Sequence, residues 1–90
     1  MGKVVAFTNL ERKALSKVIE NEGVNTKIVT KVDSRGAEYD RFFDDYDGST
    51  APISEGIGWI KAKVGAKPLS EIGLNDKEIK SVERIFALFG

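Results

Sequence analysis

Thr26-Lys27-Ile28-Val29-Thr30-Lys31-Val32-Asp33-Ser34-Arg35-Gly36-Ala37-Glu38-Tyr39-Asp40-Arg41-Phe42-Phe43 decides whether the chain is all helical or carries a sheet. From Thr26 to Val32 the density of β-branched residues is high, and such side chains fit the pleated surface of a strand better than a helix. Asp33 to Gly36 then supplies a turn, because aspartate can hydrogen-bond its own backbone and glycine can take positive φ. The return segment, from Ala37 to Phe43 and on to Tyr46, admits two periods. Tyr39, Phe42, Phe43 and Tyr46 follow the i, i+3, i+4, i+7 spacing of a helix, whereas Tyr39 and Phe43 alternate with Glu38 and Asp40 as in a strand. A strand is preferred, since aromatic residues suit strands and a turn leads in. A β-hairpin is therefore expected.

On its N-terminal side, Lys3 to Phe7 is a short apolar run with two valines and no helical spacing, which reads as a buried strand. Thr8-Asn9-Leu10-Glu11 is a capping box, and Leu10, Ala14, Leu15, Val18 and Ile19 continue from it at helical spacing until Gly23. On the C-terminal side, Asp47 to Pro52 reads as a loop. Ile53, Ile57, Ile60 and Val64 then share one helical stripe closed by Gly65. Gly56 and Gly58 each weaken that helix by roughly 1 kcal/mol relative to alanine, which moves its expected start toward Ile57. Pro68 to Gly73 reads as a short helical turn. Asn75-Asp76-Lys77-Glu78 caps a last helix whose apolar face holds Ile79, Val82, Ile85, Phe86 and Phe89. The expected architecture is α+β, a single domain over residues 1–90 in the order β-α-β-β-α-α, with the helices on one face of a small antiparallel or mixed sheet.

With 90 residues and no linker-like segment, one modest core is the reasonable count. The chain has no cysteine and no histidine, so the thiolate nucleophile, the zinc-thiolate site and the commonest general base are all missing. A non-enzymatic protein without cofactor or metal is expected. No apolar run approaches the roughly 20 residues that cross a bilayer, and the first residues lack the apolar region of a signal peptide, so a cytoplasmic location is the default expectation.

Lysine plus arginine balance aspartate plus glutamate at 14 each, but the signs are segregated. Residues 38–58 hold six acids and one arginine, whereas residues 1–37 and 59–90 are each net basic. Within the acidic block, Glu38, Tyr39, Asp40, Asp44, Asp45, Tyr46 and Asp47 interleave carboxylates with amphipathic rings, a composition suited to a basic protein surface. The competing reading has the rings filling the core and the acids solvating a strand end and loop.

Other motifs fail on register. With Gly48 at position six of a calcium loop, position one is Phe43 and position twelve is Ser54, so the bidentate acid is missing. Gly56-Ile57-Gly58 lacks the third glycine and the preceding strand of a dinucleotide fingerprint. Ser54 with Lys61 or Lys63 is too common a pairing to mark a nucleophile.

Residues 68–84 resemble a helix-turn-helix, with a short helix, Gly73, the apolar Leu74, a cap and a second helix. Lys77, Lys80 and Arg84 would face DNA, extended by Lys61, Lys63 and Lys67, although Asp76, Glu78 and Glu83 oppose phosphate on the same helix. The leading expectation is an accessory or regulatory protein acting on a basic protein partner, as an inhibitor, adaptor or viral accessory protein would. A DNA-binding regulator, dimeric or otherwise self-associated, is the alternative.

Overall fold

Helix α1 (Asn9–Glu22) begins where its capping box places it, in a computed structural model that describes residues 6 to 89. Thr8 Oγ1 accepts the Glu11 amide at 3.2 Å and Glu11 Oε1 accepts the Thr8 amide at 2.7 Å, which satisfies donors that a helix start leaves unpaired. Of the strand expected from Lys3 to Phe7, Lys3 to Val5 lie outside the described residues. Phe7 is buried, with its ring edge-on to that of Phe42 at 6.2 Å between centroids.

The hairpin forms as expected. Strands β1 (Thr26–Val32) and β2 (Glu38–Asp44) pair antiparallel, with Ile28 opposite Phe42 and Val32 opposite Glu38. The turn is held by Asp33 Oδ1, which accepts the amides of Arg35 and Ala37 at 2.8 and 3.0 Å, and Gly36 takes φ 83°, where an L side chain is disfavoured. The double period of the return segment resolves as strand up to Asp44, with Tyr46 beyond it in the loop. A short strand β3 (Thr50–Ala51), within the stretch that reads as loop, pairs antiparallel with β2 and completes a sheet of order β1-β2-β3. Two residues are too few to display an alternating pattern, so nothing in the sequence marks them.

Helix α2 (Ile53–Val64) starts four residues before Ile57, because Gly56 is packed rather than loose: a Cβ there would lie 2.1 Å from Cδ2 of Phe42. The helix backbone sits directly on that fully buried ring. A single 3₁₀ turn (Leu69–Glu71) leads through buried Ile72 and Leu74 to helix α3 (Asp76–Leu88), capped reciprocally by Asn75 and Glu78. Side chains alternate across a strand, so Phe42 and its partner Ile28 point to the helices, and α1 and α2 cover that one face. The core runs through Leu15, Val18, Ile57, Ile60, Val82 and Ile85, with Phe86 and Phe89 only partly buried at its margin. Between α1 and α3, the Lys17 ammonium meets the buried Glu78 carboxylate at 2.8 Å.

Candidate functional site

Strand β2 divides the acidic aromatic stretch between two sides, so it does not form one patch. Glu38, Asp40 and Phe42 share the helix side, whereas Tyr39, Arg41 and Phe43 share the outward side. Asp40 is 3 % exposed and is not on the surface assigned to it from the sequence. Its carboxylate accepts the Phe7 amide at 2.6 Å, Arg12 Nε at 3.2 Å and Nη2 at 3.1 Å, and the Thr30 hydroxyl. Burial pushes this carboxyl up, but the hydrogen bonds from Arg12, Thr30 and the Phe7 amide outweigh it and hold the group below its ordinary value. Glu38 stays exposed at the end of the strand, 3.7 Å from Arg12 Nη2.

Asp44, Asp45, Tyr46 and Asp47 remain together where β2 runs into the loop before β3. Tyr46 is 84 % exposed, yet its position is fixed at both ends. Its amide donates to Asp44 Oδ1 at 2.8 Å, and its hydroxyl accepts from Asn25 Nδ2 at 2.8 Å. Asp47 Oδ1 accepts the amide and hydroxyl of Ser49 at 2.9 and 2.6 Å, which draws the Asp47 carboxyl below its usual range. Side chains of the loop thus hold its own backbone. Beside it opens a cavity of about 550 Å³ lined by Val24, Asn25, Asp44, Tyr46, Trp59 and Lys63. Two aromatic rings, one acid and one lysine border a single recess, and sequence reasoning missed Trp59 because α2 and the loop meet only in three dimensions.

The basic residues of the helix-turn-helix alternative are scattered. Lys77, Lys80 and Arg84 are exposed along one side of α3. Lys61 instead donates to the Phe86 carbonyl at 3.3 Å, near the other end of that helix, and Lys67 pairs with Glu22 at 2.9 Å. Lys63 faces the cavity. The leading helix of the motif is a three-residue 3₁₀ turn. Glu78, in the first turn of the would-be recognition helix, is buried against Lys17 of α1.

The outward side of the hairpin carries Lys27, Val29 and Lys31 from β1 and Tyr39, Arg41 and Phe43 from β2, all exposed or half-buried. Lys27 stands opposite Phe43 and Lys31 opposite Tyr39 in the ladder. The Lys27 ammonium lies 5.1 Å from the centre of the Phe43 ring, and Arg41 is held along the sheet by hydrogen bonds to Thr50 Oγ1 and the Thr50 carbonyl, at 2.9 and 3.2 Å. Tyr39 stood out in sequence as part of the acidic aromatic stretch, but its grouping with Lys27, Lys31 and Arg41 on one face did not. The available signal was the period-two pattern of the two strands, readable once the Asp33–Gly36 turn sets their register.

Among the described residues, no three acidic side chains gather as a metal site, and no helix is long and apolar enough to cross a membrane. Comparison with protein-family models, with curated proteins and with solved structures found no match to this chain.

Proposed function

We propose that this chain is a non-enzymatic accessory or regulatory protein that binds a basic surface of a larger protein, as an inhibitor or adaptor does, and that the loop between β2 and β3 makes the contact. The observation that carries this reading is Tyr46, a ring 84 % exposed and already tethered by Asn25 and Asp44. A side chain ordered in advance loses little freedom on binding, and tyrosine offers a large rigid contact with a polar tip. Asp44, Asp45 and Asp47 around it supply the negative potential that steers a cationic partner. The adjoining recess beside Trp59 can receive a partner side chain next to that anchor.

The test uses the full chain as bait in its native host, followed by association kinetics with the recovered partner at several salt concentrations. Asp44→Asn, Asp45→Asn and Asp47→Asn together should slow association by about tenfold at low salt and flatten its salt dependence. The dissociation rate should change less. An unchanged association rate at every salt concentration would remove the loop from the contact.

A further inference from the structure

We infer that the outward side of the β1–β2 hairpin is a binding surface for single-stranded nucleic acid. The exposed side of an antiparallel sheet is ordinarily solvated by polar residues without a sign preference. Here, in a chain whose charges cancel, all three charged residues that β1 and β2 direct outward, Lys27, Lys31 and Arg41, are cations. The carboxylates of the hairpin strands lie on the helix side or at the strand end. The arrangement also repeats: each of the two outward rings, Tyr39 and Phe43, has a lysine directly across the ladder, with Arg41 between them on β2.

Each ring and lysine pair brings together what one nucleotide of a single strand requires, an aromatic ring for a base and a cation for its phosphate; at Phe43 the base takes the place of the flexible, exposed Lys27 ammonium now over the ring. The rings are separated by four residues of strand, about 13 Å, so two non-adjacent bases can stack while the backbone between them passes Arg41. The hydrogen bonds to Thr50 hold that guanidinium along the sheet and limit the freedom it loses on binding. A duplex keeps its bases stacked on one another and has no use for the two rings. No described helix covers this side of the sheet, since α1 and α2 both pack on the Phe42 side. The Phe43 end of this surface adjoins the loop carrying Tyr46, but the two assignments rest on different side chains, so each has its own variants and either can fail without the other.

The probe is a fluorescently labelled oligothymidylate about a dozen nucleotides long, with the matching oligouridylate and a duplex of equal length, read by anisotropy against the full chain. Micromolar binding to the single strands is expected, with a logarithmic salt slope of about −2 for three neutralised phosphates. Phe43→Ala and Tyr39→Ala should each weaken binding about fivefold or more. Lys27→Gln with Lys31→Gln should reduce the salt slope by about 1.4. Because Lys27 and Lys31 are exposed, the lysine variant tests the surface even if an aromatic variant unfolds. Neutralising Lys77, Lys80 and Arg84 should change nothing. Binding to either single strand with these losses supports the inference. Several results would overturn it: no binding, equal or tighter binding to the duplex, or full displacement by polyglutamate at matched charge. So would a dimer in sedimentation that Lys31→Glu disperses, since a second copy would then occupy the surface.

Discussion

Gly56→Ala is expected to destabilise the chain by about 3 kcal/mol, although alanine is the better helix former. Helix propensity favours the substitution by about 1 kcal/mol, chiefly because alanine leaves the unfolded chain less freedom to lose. Against that gain stands a methyl group placed 2.1 Å from Cδ2 and 2.7 Å from Cβ of Phe42, a side chain with no exposed surface into which to retreat. Either the ring leaves its rotamer or α2 lifts from the sheet, and both disturb a packed interior. Gly58 provides the control, since nothing lies within 4 Å of the Cβ it would gain. Gly58→Ala should stabilise by roughly 0.5 to 1 kcal/mol. Urea denaturation of the two variants checks the pair, and equal effects of the same sign would contradict the close approach of α2 to Phe42.

Asp40→Ala should cost about 3 kcal/mol, the low end for breaking a buried ion pair, because the Arg12 side chain keeps 24 % of its surface exposed. The substitution leaves the guanidinium, the Phe7 amide and the Thr30 hydroxyl without their shared acceptor. Acid denaturation supplies a second check on the same residue. Since the folded chain holds the Asp40 carboxyl below its ordinary value, the unfolded chain binds the proton more readily. The stabilisation is complete above about pH 4 and is lost as the pH falls from there toward the folded-state value. Glu78, lowered by its hydrogen bond from Lys17 and by the Asn75 amide, acts in the same direction. The urea midpoint of Asp40→Ala should therefore fall less steeply with acid than that of the unmodified chain. Parallel curves would show that the Asp40 carboxyl binds protons alike in the folded and unfolded chains, against the lowering that its hydrogen bonds impose.

The elements that were legible in the sequence are those whose determinants lie within a few residues. Thr8 with Glu11, and Asn75 with Glu78, are complete signals at a spacing of three, and both capping boxes form. Asp33 and Gly36 likewise carry their turn with them. Gly56 reads as a weakness in α2 because the ring that fills its missing side chain belongs to β2. Asp40 reads as one surface acid among six because its partner Arg12 is 28 residues away. Once Phe42 is placed inward, alternation sends Asp40 inward and Tyr39, Arg41 and Phe43 outward, which separates rings from acids that composition alone groups together. Of the proposed contact, the loop acids and Tyr46 were visible as a run of residues. Asn25 and Trp59 were not, because Asn25 meets Tyr46 across the hairpin and Trp59 joins it only in lining the cavity beside α2.

Tyr46→Ala tests the assignment of the loop most directly, because one residue change separates a binding role from a folding role. The ring is largely in water and, among the described residues, its side chain hydrogen-bonds only to exposed Asn25, so the melting temperature should shift by no more than roughly 3 °C. Binding to the partner recovered from the native host should weaken by about 1 to 2 kcal/mol, roughly five- to thirtyfold, chiefly through faster dissociation. Unchanged partner affinity together with a clearly lowered melting temperature would contradict the proposal and make Tyr46 part of the scaffold.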